Sequence, residues 1–147
     1  MEITGIESSQ IGVLLIDVQP IFWDYAFREG DERGDSKGEP LMVRLEHLLM
    51  LAGGLNLPLI ATFEHPVAEN GELPDRLEAV FPGGGQRFTK KTYDCTLEWT
   101  IAQAIRRQPV AQWAVAGAET DVCVMPSQRF RKPQVVGSTP MEDCLFT

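Results

Sequence analysis

The chain has 147 residues, enough for one domain with a sizeable core, and 44% of them are apolar, which excludes a disordered chain. A formal net charge of −8 argues against a nucleic-acid or anionic-membrane surface, since both need clustered Lys and Arg. The basic stretch at 129–132 is too short to change that and reads as a solvated patch. No apolar run approaches the roughly 20 residues that span a bilayer. The N-terminus has neither the basic segment nor the apolar core of a secretory signal, so a cytoplasmic location is expected. Cys95, Cys123 and Cys144 form no CxxC spacing and an odd count, which points to free thiols rather than a zinc site or a disulfide framework.

In chain order, the apolar run from Ile11 to Ile16, ended by Asp17, reads as a strand buried on both faces. An aromatic-rich loop or short helix follows over 18–25, and the charged, Gly-rich stretch 28–39 reads as an exposed loop. Leu41, Leu45, Leu48, Leu49 and Ala52 recur at helical spacing, with Pro40 at the first helical position and Gly53 as the stop. A second strand is expected over 57–63, a short helix over 73–80, and a turn at Gly83-Gly84-Gly85. A short third strand covers 87–90. Leu97, Ile101, Ala104 and Ile105 mark another amphipathic helix, with Thr96 as N-cap and Glu98 in its first turn. A fourth strand spans 112–117. Strands alternating with helices predict an α/β fold: a Rossmann-like three-layer α/β/α arrangement with a central parallel sheet.

In such a sheet every strand's C-terminal end meets one edge, where ligands bind. Asp17 ends the first strand, Lys90 ends the third, and Cys123 follows the fourth at a strand-to-helix junction. Such junctions lower a thiol pKa through backbone N–H groups and the helix dipole. A lone cysteine is ordinarily a small core residue. What favours a reactive thiol here is the company of Asp17, which can accept its proton, and Lys90, which can stabilise the thiolate. Backbone N–H groups of Glu119 and Cys123 are candidates for an oxyanion hole. The Gly-rich segment 83–92 only superficially resembles a phosphate loop, because Thr89 and Lys91 break the required Gly-Lys-Ser/Thr pattern.

Three stretches, Leu14 to Gln19, Lys90 to Asp94 and Val115 to Val124, resemble the isochorismatase-like cysteine hydrolases, and the last is the most specific. The resemblance implies a catalytic triad with Asp17 as general base, Lys90 as electrostatic partner and Cys123 as nucleophile. It also implies a cis peptide at Ala118–Glu119, aiming the Glu119 and Cys123 amides at the substrate oxygen, and a homo-oligomer. The presence of Cys123 favours the amidase-type branch, hence a hydrolase acting on a small-molecule amide or related C–N bond. Phe22 and Trp23 are pocket-wall candidates, with core packing as the alternative. The nicotinamidase branch carries an Asp and two His near the second strand's end. Here only His65 is present, with Glu64 and Glu69 nearby, so no metal and no cofactor is expected. Glu64 and His65 are instead candidates to line the pocket.

The chain departs from the family after Cys123. Pro126 could sit in a helix first turn, but Pro133 and Pro140 interrupt the stretch where the family runs into an apolar helix, while 142–147 again resembles it. A single domain over 1–147 is therefore expected to be atypical from 125 and incomplete at its C-terminal side. The thiol would then be poorly supported, one sheet edge uncovered, and stability reduced or dependent on a partner chain. A catalytically inactive relative acting as a binding or scaffolding subunit is the alternative to an enzyme.

Overall fold

A parallel sheet of five strands organises the computed structural model, which describes residues 11–22, 38–118, 123 and 135–136. In chain order the elements are β1 (Ile11–Ile16), α1 (Gly38–Gly54), β2 (Leu59–Glu64), α2 (Val67–Asn70), α3 (Asp75–Glu78), β3 (Gln86–Lys90), a 3-10 turn (Cys95–Leu97), α4 (Trp99–Arg107), β4 (Gln112–Gly117) and β5 (Val135–Val136). The strand order is β3-β2-β1-β4-β5, and every pairing is parallel. The chain thus builds outward from β1 on one side and then returns to build on the other. The crevice left where the direction reverses, between the ends of β1 and β4, is where open α/β sheets bind ligands.

The two-residue alternation of a strand produces the three layers. On one face, Val13, Leu15, Leu59, Ala61 and Phe63 pack with Leu41, Leu45 and Leu49 of α1 and Leu77 of α3. On the other, Leu14, Ile16, Ile60, Trp113 and Val115 pack with Ile101, Ala104 and Ile105 of α4. β1 is sealed between the two, which is why it reads as an unbroken apolar run. No helix among the described residues is long and apolar enough to cross a membrane.

Several boundaries differ from the sequence reading for local reasons. α1 begins at Gly38, inside the expected loop, and holds Pro40 in its first turn, where no intrahelical N–H is required. β2 begins two residues late because Leu57 N–H is taken by Ala52 O at 2.9 Å in the turn that follows α1. Only 75–78 of the expected 73–80 helix is helical. Thr96 does not cap a helix. Asp94 does the capping, accepting from Thr96 N at 2.9 Å and Thr96 Oγ1 at 2.6 Å, and this diverts 95–97 into the 3-10 turn. Leu97 is left 72% exposed, and Glu98 becomes the residue preceding α4. β5 pairs in parallel with β4, with Trp113 and Ala114 in register with Val135 and Val136. Trp23, Glu119, the Ala118–Glu119 peptide, Cys144 and the rest of the altered C-terminal stretch lie outside the described residues.

Gly117 closes β4 against β1 at the crevice. Its φ of +147° and a would-be Cβ only 1.9 Å from Ile16 O leave no room for a side chain. The next residue, Ala118, donates its N–H to the same oxygen at 2.9 Å. Gly117→Ala is expected to destabilise the chain by roughly 2–4 kcal/mol, read as a fall in Tm; an unchanged Tm would contradict this packing.

Candidate active site

The ends of four strands converge on one cluster. Asp17 follows β1, Glu64 ends β2, Lys90 ends β3, and Cys123 lies beyond β4 in a helical turn. Parity places them: Thr62 and Glu64 share the sheet face of Ile60, Lys90 shares that of Phe88, and Glu64 is in register with Lys90. Asp17 reaches the cluster differently. Its φ of +49° lies in the left-handed region, uncommon outside Gly but tolerated by Asp, and turns the chain out of β1 at the crevice.

At the centre is a buried ion pair. Lys90 Nζ lies 2.7 Å from Asp17 Oδ2, and both side chains are 0% exposed. Lys90 also donates to Thr92 O at 2.9 Å, so the loop beyond β3 helps to solvate the ammonium. Thr62 Oγ1 donates to Asp17 Oδ1 at 2.9 Å. Oδ2, the other carboxylate oxygen, is the one that faces the ammonium. Lys91, one residue on, is exposed, which shows how selectively the strand end buries Lys90.

Cys123 closes the cluster. Its Sγ donates to Glu64 Oε2 at 3.4 Å, and one donor atom from each of Asp17, Glu64 and Cys123 lies within 4.8 Å of the others. Glu64 Oε2 is 3.6 Å from Lys90 Nζ, and its side chain, 19% exposed, is the part of the cluster that faces outward.

The electrostatics follow from this burial. Desolvation pushes the Asp17 pKa up, and the charge and hydrogen bonding of Lys90, with smaller help from Cys123 and Thr62, only partly offset it. Asp17 is therefore a stronger base than an ordinary carboxylate. Burial alone would lower Lys90, but the negative charge of Asp17, with Glu64 beyond it, outweighs it and raises its pKa, so it stays an ammonium. Burial, reinforced by Asp17 and Glu64 and opposed by Lys90, drives the Cys123 thiol well above its ordinary value. This corrects the expectation of a lowered thiol pKa: at rest Cys123 is a protonated thiol.

Asp17, Glu64 and Cys123 present three ligand atoms of the kinds a metal could use. The Lys90 ammonium, however, already stands within 2.7 Å of one carboxylate and 3.6 Å of the other. The positive charge such a site needs is supplied by the protein, and the residues present do not fit a metal ion.

The sequence reading missed Gln19. Its buried side chain accepts from Glu64 N at 2.6 Å and donates to Glu64 O at 3.2 Å and Gly71 O at 2.8 Å, tying the loop after β1 to the end of β2. Its place two residues after Asp17 was the available signal. Thr62 was missed too, although its parity with Glu64 was readable. Phe22 is half-buried and packs on the core beneath α1, and His65 is exposed, contributing its backbone N–H to Lys90 O at 2.8 Å.

Lys90→Met is expected to cost about 3–5 kcal/mol in chemical denaturation, because it strands the buried Asp17 carboxylate; a loss below about 1 kcal/mol would contradict a buried pair. The pH profile of Cys123 alkylation, followed by mass spectrometry, should rise at higher pH than that of a cysteine in an unfolded peptide, since a raised pKa means less thiolate at any given pH. A midpoint at or below the peptide's would contradict these electrostatics.

No protein-family model matches the sequence, and a search of curated proteins finds no match. Solved structures do match. The YcaC gene product of Escherichia coli, an octameric hydrolase of unknown specificity, superposes with a TM-score of 0.66 at 22% identity, over 86% of this chain and 59% of its own. An isochorismatase from Pseudomonas putida gives 0.67 at 15% identity, over 87% and 66%. N-carbamoylsarcosine amidase from Thermoplasma acidophilum gives 0.63 at 12% identity, over 86% and 79%. The chain thus spans less than two thirds of the length of the first two. With its parallel sheet layered between helices, it has the fold of the isochorismatase-like cysteine hydrolases.

Proposed function

We propose that this chain, as a single domain, is a metal-independent cysteine hydrolase of the isochorismatase-like family that cleaves a small amide or related C–N bond through a covalent acyl-enzyme. The observation that carries this reading is the buried Asp17 carboxylate, paired with Lys90 at 2.7 Å and gathered in one cluster with the Cys123 thiol. The fold shared with an amidase and an octameric hydrolase supports it.

The chemistry follows from the raised thiol pKa. As sulfur approaches the substrate carbonyl, the thiol proton passes to Asp17 and an S–C bond forms. Lys90 offsets the charge that would otherwise accumulate beside Asp17. Collapse of the tetrahedral species breaks the C–N bond, and the proton held by Asp17 moves to the leaving nitrogen. Water then attacks the thioester, gives a proton to Asp17, and the thiolate leaves and is reprotonated. Backbone N–H groups of Glu119 and Cys123 are the proposed oxyanion donors. Trp23 and His65 remain proposed pocket residues, while the packing of Phe22 on the core favours its alternative role. The large apolar side chains of Tyr93, Leu97 and Trp99, left exposed just beyond Lys90, support assembly into a homo-oligomer.

Ammonia or amine release over a panel of small amides and ureido compounds tests the proposal. Wild type should turn over at least one, Cys123→Ala none, and Asp17→Asn roughly 10²–10⁴-fold less. Turnover retained by Cys123→Ala would overturn it. A folded wild type with neither turnover nor an acyl adduct on Cys123 would favour the binding-subunit alternative.

A further inference from the structure

We infer that Glu64 selects the substrate by charge, admitting neutral or cationic compounds that present N–H groups beside the scissile carbonyl and rejecting anionic ones. The inference rests on the reading of Cys123 as a nucleophile and extends it. Three facts carry it. Glu64 Oε2 is 3.4 Å from Cys123 Sγ, so a group bonded to the carbon under attack necessarily passes close to that carboxylate. Its side chain keeps 19% of its surface exposed, whereas Asp17 and Lys90 keep none, so Glu64 is the charge an incoming molecule meets first. Finally, among the described residues the cluster sets two carboxylates against one ammonium, and Lys90 sits nearer Asp17, at 2.7 Å, than Glu64, at 3.6 Å. The Glu64 charge is the one left less compensated.

The backbone reinforces this role. Gln19 holds both the N–H and the carbonyl of Glu64, and Asn70 Nδ2 donates to the same carbonyl at 3.0 Å. A carboxylate on so firmly held a peptide has little freedom to retreat from a ligand. In the resting site its described donor is the Cys123 thiol. Once the thiol proton has gone to Asp17, that acceptor position is free for an amide or ureido N–H of the substrate. An anionic group in the same place would face Glu64 without a donor and would raise the negative charge of a site already in excess.

Paired alkylating reagents test this without a known substrate. Iodoacetamide and iodoacetate differ in one neutral amide against one carboxylate, and both report on Cys123 by peptide mass spectrometry. With each rate divided by that for N-acetylcysteine, wild type should prefer the neutral reagent by roughly five- to tenfold, and Glu64→Gln should lose most of that preference. Raising the salt concentration on unmodified wild type should compress the preference in the same direction, so the test does not depend on the variant folding. Equal normalised rates in wild type, or a preference untouched by both Glu64→Gln and salt, would overturn the inference while leaving the nucleophile in place. A natively folded protein whose Cys123 reacts with neither reagent would remove the nucleophile reading, and the charge filter with it.

Discussion

The buried pair of Lys90 and Asp17 is the interaction on which the rest of the site depends. Each side chain is withdrawn completely from water, an arrangement that is costly for either charge alone and tolerable only for the two together. The carboxyl oxygen that does not face Lys90 is taken by Thr62, and the ammonium is further satisfied by the carbonyl of Thr92. The pair so formed stands in one cluster with the Cys123 thiol. A less buried pair would leave Asp17 an ordinary weak base. A cluster without Lys90 would favour a neutral Asp17 unable to accept a proton.

The sheet explains how residues so far apart in sequence meet at this point. Parallel strands send their C-terminal ends to one edge, and parity then decides which face each side chain takes. Thr62, Glu64 and Lys90 fall on the face covered by α4, which is also the side where Cys123 packs with Leu14, Ile16 and Ile60. Gly117 lets β4 approach β1 closely at the crevice beside Asp17. Gln19 locks the end of β2, and with it the orientation of Glu64. The cluster is therefore set largely by strand ends that the core itself holds.

Much of this was legible in the sequence, for identifiable reasons. The unbroken apolar run before Asp17 and the apolar stretch ending at Gly117 are what buried parallel strands require, so both strand ends, and hence Asp17, could be placed. Lys90 could be assigned as an end residue, but nothing in Thr89-Lys90-Lys91-Thr92 distinguishes the buried lysine from the exposed one. Register and the neighbouring β2 make that choice. The Asp94 cap was hidden because Thr96 looked equally suited, and only the competition between two hydrogen-bonding side chains decides it. The protonated resting thiol was not legible at all. Proximity to a helix start and a lysine lowers a thiol pKa, but desolvation and two carboxylates raise it, and the balance depends on burial that sequence does not contain.

The most direct measurement is a nitrogen-15 NMR titration of the Lys90 side chain in the folded protein. The account predicts an ammonium that persists above the ordinary lysine pKa, because the Asp17 carboxylate, with Glu64 beyond it, outweighs its desolvation. Its disappearance at or below that value would show that the negative groups do not hold the charge. The buried pair, and with it the base proposed for Cys123, would then not exist as described.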